Sequence, residues 1–167
     1  MGGSSIRPDG GLLVIYGAFE GYAAPFAING NVTTYLGDIT KNGSPLTAEV
    51  TNAVFSPSGD KLVIIGGGNS AAIFAVDGTT VTFLTNLTRN GEEINPQIGT
   101  ISFKPDGTLL ILAPSELTAG YDASNAYIFS ISGSNINYAG DITKGIYNSN
   151  MLAGAIGGNF SPDGNVY

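Results

Sequence analysis

The sequence contains no cysteine, no histidine and no tryptophan. The absence of cysteine excludes disulfides and thiolate metal sites. The absence of histidine removes the most common general base and the imidazole metal ligand. Only 11% of the 167 residues are charged, which is less than half the usual share of about 25%. Solubility must therefore come from asparagine, threonine, serine and glycine. A surface with few charges and many such residues favours an extracellular or particle-borne protein.

The charge balance also excludes a class of partner. Thirteen acidic and six basic residues give a net charge of −7, which opposes binding to a phosphate backbone. Nucleic acid is therefore not an expected partner. No apolar run approaches membrane-spanning length, and the first residues lack the basic and apolar regions of a secretory signal. We expect no membrane insertion.

One short phrase occurs four times: an apolar residue, a polar residue, and then Pro-Asp-Gly or Pro-Ser-Gly. A second phrase, of the type Ile-Phe-Ala-Val-Asp-Gly, follows each of the first three copies. The prolines of the first phrase are 49, 48 and 57 residues apart, a range typical of propeller blades or solenoid units. The four copies are residues 6–10, 55–59, 103–107 and 160–164.

Each complete repeat contains four segments with the composition of β-strands. The first segment ends at the Pro-Asp-Gly turn, where proline presets φ and glycine accepts a positive φ. The second is a continuous apolar run, such as residues 62–65, typical of a strand buried on both faces. The third ends at a hairpin signal such as Asn29-Gly30 or Asp77-Gly78, so the fourth runs antiparallel to it. The fourth alternates apolar and polar residues, which buries one face.

Four antiparallel strands per repeat predict an all-β fold, a segment of a β-propeller. A solenoid is the alternative, but parallel β-helix coils are shorter and lack paired hairpin turns. Helical repeats would need a 3.6-residue periodicity, which the sequence does not show. We expect a single partial propeller over residues 1–167, with three complete blades at about 4–40, 52–88 and 100–143 and the start of a fourth at 159–167.

The Phe-Ser-Pro-Asp-Gly turn, the apolar strand after it and the Ile-Phe-Ala-Val strand resemble the blades of WD-repeat-like propellers. Such blades include those of bacteriophage structural proteins and bacterial surface proteins. The resemblance covers nearly the whole chain. It departs from the family where the Trp-Asp dipeptide is replaced by Ala75-Val76 and its equivalents, and no Gly-His pair precedes the first strand. The resemblance therefore implies the degenerate microbial or viral branch.

Three blades are too few for a closed ring, which needs about four to eight. An open arc exposes an apolar blade face at each end, and such patches mark interaction surfaces. The expected partners are therefore other copies of this chain or further blades of a longer polypeptide. Other virion proteins or a surface glycan are further candidates.

No group of residues has the pattern of a catalytic site. The recurring Asp9, Asp106 and Asp163 are expected to accept hydrogen bonds from backbone amides in their turns. The adjacent Glu92 and Glu93 are expected to be solvated in a loop. We predict no catalytic residue and no cofactor.

Calcium is the metal that such a sequence could still bind, because it prefers carboxylate and carbonyl oxygens. No Asp-x-Asp-x-Asp spacing occurs. Asp38, Asn86 and Asp141 recur once per repeat, which favours a structural role at the blade corner. We predict no metal site.

One face of the propeller is the better candidate for ligand binding. In WD-type propellers the connections between blades lie on the same side as the loops between the second and third strands. That side would gather half of the six basic residues and the longer loops of the third repeat. Length drift in surface loops is the alternative explanation. The candidate residues are Lys41, Asn42, Arg89, Asn90, Tyr121, Asp122, Lys144, Tyr147 and Asn148.

These observations lead to a functional expectation. We expect a non-enzymatic structural and interaction module of a viral particle, such as a phage tail or fibre, located in the virion or at an extracellular surface. The alternative is a carbohydrate- or protein-binding propeller of a bacterial surface or cytoplasmic system. A third hypothesis is a fragment of an enzyme whose catalytic residues lie on other blades.

Overall fold

The computed structural model describes residues 2–17, 21–46, 49–66, 70–94, 98–114, 126–142 and 160–163. Over these residues it contains sixteen β-strands and no helix. Twelve strands form three antiparallel four-stranded sheets, and the other four form two short hairpins between the sheets. The predicted all-β fold and propeller segment are confirmed. The division of residues 1–167 into a single domain with the blade limits given above remains a prediction.

The strands follow one another in the order of the chain. The first blade consists of β1 (Gly3–Ile6), β2 (Leu12–Gly17), β3 (Tyr22–Asn29) and β4 (Val32–Tyr35). The first connector hairpin consists of β5 (Thr40–Lys41) and β6 (Ser44–Pro45). The second blade consists of β7 (Val50–Phe55), β8 (Lys61–Gly66), β9 (Ser70–Asp77) and β10 (Thr80–Asn86). The second connector hairpin consists of β11 (Thr88–Arg89) and β12 (Glu92–Glu93). The third blade consists of β13 (Ile98–Phe103), β14 (Leu109–Pro114), β15 (Ala126–Ser132) and β16 (Asn135–Ile142).

Each blade is an up-and-down sheet in which every strand pairs with its neighbours in sequence. The first turn of the first and third blades uses an aspartate as predicted. The Asp9 carboxylate accepts a hydrogen bond from the Gly11 amide at 2.9 Å, and Asp106 accepts one from the Thr108 amide at 2.9 Å. Gly107, which follows Asp106, has a φ of 74°, a left-handed conformation that glycine adopts without steric cost.

The first strands of the three blades lie side by side, with β1 against β7 and β7 against β13. This arrangement places the first strand of each blade nearest a common axis, as in a propeller. Asn52 of β7 links all three blades there. Its side chain accepts a hydrogen bond from the Tyr16 hydroxyl at 3.5 Å and donates one to the Gly99 carbonyl at 3.3 Å.

The hydrophobic core is divided into two layers, each between two blades. The layer between the first and second blades contains Leu12, Val14, Leu62 and Phe74, all buried. The layer between the second and third blades is built around Phe129, with buried aliphatic side chains from both blades. The second blade lies between these two layers, so both faces of its second strand β8 are buried. The continuous apolar run at residues 62–65 predicts this burial.

A pair of aromatic rings marks the same side of every blade. Phe74 and Phe83 meet edge to face at 5.7 Å between ring centroids, and Phe129 and Tyr138 meet at 5.9 Å. Phe74 belongs to the core layer shared with the first blade, and Phe129 to the layer shared with the second. In the second and third blades the aromatic pair therefore faces the preceding blade.

The two connector hairpins were not predicted from the sequence. Glu92 and Glu93, which were expected in a loop, are exposed but form the second strand of the second hairpin. Each hairpin is closed by an Asn-Gly pair with both residues at positive φ: 53° and 80° for Asn42 and Gly43, and 53° and 88° for Asn90 and Gly91. These angles are those of a type I′ turn, the preferred closure of a two-residue hairpin. Lys41 and Arg89 each directly precede the Asn-Gly turn, so the turn determines where the hairpin places this basic residue.

We expect Asp106→Asn to lower the thermal midpoint at neutral pH. Asp106 accepts hydrogen bonds from Lys104 and from the side chain and amide of Thr108, which lower its pKa from 3.8 to about 2. Because the folded-state pKa lies below the unfolded value, the charged carboxylate stabilises the fold above about pH 4, and this stabilisation is lost as the pH falls towards about 2. Circular dichroism melts should show the difference from wild type shrinking over that range.

The control for this measurement is Asp77→Asn, which removes an exposed carboxylate from the turn between β9 and β10. A wild-type advantage over Asp106→Asn that stayed constant from pH 4 to about pH 2 would contradict the linkage.

Candidate functional site

Both connector hairpins lie at one edge of the sheets. Successive strands in a blade run antiparallel, so the connection after the fourth strand and the end of the second strand share one edge. The Pro-Asp-Gly turns lie at the opposite edge. We call the edge that carries the hairpins the connector edge. It comprises the two connector hairpins and the adjoining ends of β7, β8 and β9.

Lys41 of the first connector hairpin extends over the second blade. Its Nζ lies 5.6 Å from the centroid of the Phe83 ring, within the range of a cation–π interaction. Phe83 in turn packs on Phe74. Lys41 and Phe74 both line a pocket between the hairpin and the second blade.

The pocket has a volume of about 240 Å³. The hairpin and the residue after it supply one side, and the ends of three strands of the second blade supply the other. Typical small-molecule sites hold about 300–1,000 Å³, so this pocket fits one end of a metabolite rather than a whole one. Its lining residues are Lys41, Ser44, Pro45, Leu46, Val50, Ile64, Gly66, Ser70, Ala72 and Phe74.

The pocket combines a cation with apolar walls. Lys41 is the only charged residue among the described residues of the lining, and Ser44 and Ser70 supply hydroxyl groups. An ammonium group beside apolar walls attracts an anion more strongly than it would in open water, because the local dielectric is lower. Gly66 keeps the floor open, since a Cβ there would lie 3.2 Å from the Ser70 Oγ. The pocket is suited to a small anionic group with hydrogen-bond acceptors.

Arg89 of the second connector hairpin occupies the equivalent position but is engaged differently. Its guanidinium forms an ion pair with Asp141 of the third blade and lies 5.9 Å from the centroid of the Tyr127 ring. The Tyr138 hydroxyl donates a hydrogen bond to the other carboxylate oxygen of Asp141. These contacts fasten the second hairpin onto the third blade.

The pKa values of this cluster reflect the same contacts. The hydrogen bond with Tyr138 and the negative charge of Asp141 raise the pKa of Arg89. The hydrogen bond to Asp141 raises the pKa of Tyr138. Arg89 is therefore permanently charged and already paired, so it serves the contact between blades.

The structure tests only part of the predicted ligand face. Lys41 and Arg89 both lie at the connector edge, where Lys41 contacts Phe83 of the second blade and Arg89 contacts Asp141 of the third blade. Asn42 and Asn90 are the turn residues that close the hairpins. The remaining residues predicted for this face lie outside the described part of the chain: Tyr121, Asp122, Lys144, Tyr147 and Asn148. The ligand face as a whole stays a prediction.

The blade-corner series has the structural contacts that were expected for two of its members. Asp38 accepts a hydrogen bond from the Tyr35 hydroxyl at 2.7 Å, and Asp141 binds Tyr138 and Arg89. Asn86 differs, since its buried Oδ1 has no hydrogen-bond partner among the described residues.

Sequence reasoning missed the serines and the apolar walls of the pocket. Ser44 and Ser70 are separated by a full strand pair and meet only because the hairpin folds back onto the second blade. The Asn42-Gly43 pair could have signalled that hairpin, because Asn-Gly is the strongest short hairpin signal.

The described ranges contain no cluster of three or more carboxylates arranged to hold a metal ion. They also contain no helix long and apolar enough to cross a membrane.

Solved structures share this fold. A putative 6-phosphogluconolactonase from Bacteroides uniformis matches with a TM-score of 0.70 and 17% identity, over 96% of this chain and 44% of that one. The periplasmic gluconolactonase of Pseudomonas aeruginosa matches with a TM-score of 0.64 and 18% identity, over 86% of this chain and 39% of that one. Sqt1 of Saccharomyces cerevisiae matches with a TM-score of 0.62 and 12% identity, over 84% and 35%. No protein-family model and no curated protein matches the sequence.

At these identities the likeness shows the propeller fold. The chain spans less than half the length of each of the three structures. The resemblance to WD-repeat-like propellers holds at the level of the fold, whereas nothing in the comparisons supports its phage-specific part.

The comparisons correct the functional expectation. The prediction of a non-enzymatic virion module, and with it the alternative of a surface-binding propeller, is wrong, because the neighbours described above include a putative 6-phosphogluconolactonase and a gluconolactonase, which are named as enzymes. Their names also weigh against the prediction that the chain is not an enzyme. Low charge and missing histidine misled here, because composition constrains the surface of a propeller but not its chemistry.

We expect Arg89→Met and Asp141→Asn each to lower the free energy of unfolding, and their effects not to add in the double variant. Either substitution breaks the ion pair between the second hairpin and the third blade, and the second substitution then has less left to remove. Urea unfolding of the four proteins measures the coupling. Lys104→Met combined with Asp141→Asn is the control, since Lys104 pairs with Asp106 at the opposite edge. Additive effects for Arg89 and Asp141 would contradict the contact.

Proposed function

We propose that this chain forms part of a β-propeller enzyme that acts on sugar lactones, and that the pocket beside Lys41 binds the acidic end of the substrate. The observation that carries the proposal is a pocket whose described lining combines one basic residue, Lys41, with apolar side chains and two serines. The names of two neighbours, a putative 6-phosphogluconolactonase and a gluconolactonase, support the substrate class.

The dimensions and chemistry of the pocket favour a phosphate or carboxylate group. A charge-assisted hydrogen bond from an ammonium to such an oxygen is about twice as strong as a neutral one. The Ser44 and Ser70 hydroxyls can donate to the remaining oxygens. A volume of about 240 Å³ holds the acidic group and the adjoining carbons, while the lactone ring extends out of the pocket.

Hydrolysis of a lactone adds water to the ring carbonyl carbon and breaks the bond from that carbon to the ring oxygen, leaving a hydroxy acid. This chemistry needs a base for the water and donors for the oxyanion. The described residues of the lining include no carboxylate, and we assign them to substrate binding. The groups that activate water would belong to other parts of the propeller. A location outside the cytoplasm is part of the proposal, supported by the periplasmic neighbour.

Calorimetric titration with 6-phosphogluconate, the stable product of such a reaction, tests the binding role. We expect saturable binding to the wild-type chain and affinity at least about tenfold weaker in Lys41→Met, equivalent to about 1.4 kcal/mol. Titration with gluconate, which lacks the phosphate, shows which acidic group the pocket prefers.

The matched control is Lys104→Met, which removes one positive charge at the opposite edge of the third blade. It should bind as the wild type does. If neither acid binds, or if both lysine variants lose affinity equally, the pocket is not a substrate site. Circular dichroism of each variant separates loss of binding from loss of folding.

A further inference from the structure

One sheet face of the first blade is apolar and uncovered. Cross-strand pairing places Ile6 opposite Leu13, Leu13 opposite Phe26, and Phe26 opposite Tyr35, so these side chains share one face. Ile15 lies two residues after Leu13 on the same side. Ile6 is 58% exposed, Ile15 36% and Tyr35 54%. We call Ile6, Leu13, Ile15, Phe26 and Tyr35 the open face.

The same positions are buried or partly buried against a core layer in the other blades. The second-blade equivalents include Phe55, Leu62, Ile64 and Phe74, all in the core layer against the first blade. The third blade packs the corresponding side chains against the second blade: Phe103, Leu110, Leu112, Phe129 and Tyr138. In each case the face meets the blade that precedes it. The open face therefore has the shape and composition that receive another blade of this kind.

The charged edge of the open face matches as well. Tyr35 donates a hydrogen bond to Asp38, and this bond raises the pKa of Tyr35. Tyr138 and Asp141 form the same pair three residues apart, and there the carboxylate also binds Arg89 from the preceding connector. Asp38 pairs with no cation among the described residues. The pair on the first blade lacks the basic residue that its counterpart has.

The sequence has a third basic residue at the equivalent position of the repeat, Lys144, which lies outside the described residues. A basic residue follows threonine after each repeat, at Lys41, Arg89 and Lys144. The first two contact the second and third blades. The acceptor on the first blade is the one that no described connector reaches.

We propose that the open face binds a second copy of this chain, head to tail, with a blade of the copy packed against it and a basic side chain of the copy on Asp38. Head-to-tail contact is heterologous, so it can close into a ring. Two copies bring together six of the described four-stranded sheets, and closed propellers use about four to eight blades. This proposal does not depend on the proposed function.

Sedimentation velocity of the full chain over a range of concentrations tests the proposal. We expect concentration-dependent dimers for the wild type and for Val32→Glu, whose side chain is equally accessible but lies on the other face of the same sheet. Ile15→Glu should be monomeric, and Asp38→Asn should associate at least about tenfold more weakly. Circular dichroism confirms that each variant is folded.

A mixing experiment tests the direction of the contact. Fluorescently labelled Ile15→Glu, which is blocked at the open face only, should still bind unlabelled wild type through its other end, although it does not bind itself. Failure of this mixture to associate would overturn the head-to-tail contact. A wild type that stays monomeric at its highest soluble concentration would also overturn the proposal, and would indicate that further blades of a longer polypeptide cover the face.

Discussion

The structure depends on one repeated contact, in which the aromatic face of a blade is buried against the blade before it. Phe74 and Phe129 are 0% and 1% exposed, and each is held edge to face by an aromatic ring on the fourth strand. A four-stranded sheet cannot bury both of its faces alone, so the blades are stable only as a stack around the axis that β1, β7 and β13 define. The connector hairpins follow from this contact, because each places its basic residue on the blade that it leads into.

The pocket beside Lys41 and the open face of the first blade both lie where this contact between blades is incomplete. Arg89 pairs with the carboxylate of Asp141, whereas Lys41 lies over the Phe83 ring, and the second blade has Asn86 at the position of that aspartate. The incomplete interface leaves a pocket with an available cation, which is the basis of the proposed substrate site. The first blade has the receiving face and Asp38 but no blade before it among the described residues, which is the basis of the proposed association.

Sequence was sufficient for the repeated part of the fold, because the information there is local. Proline and glycine define the turn at Pro105 and Gly107, and the run at residues 62–65 indicates a strand buried on both faces. Contacts between repeats could not be predicted from the sequence. Arg89 and Asp141 are 52 positions apart, and no short pattern distinguishes a paired arginine from one that binds ligand. Function was predicted wrongly because a propeller carries many chemistries on the same repeats.

Urea unfolding of Phe74→Ala tests the central contact most directly. The account predicts a loss of about 3–5 kcal/mol, the cost of removing a large side chain from a packed core, because the ring joins the first two blades. Val32→Ala, on an exposed strand of the first blade, should change the free energy of unfolding by no more than about 0.5 kcal/mol. Similar small losses for both variants would show that the blades do not depend on this face, and would contradict the account.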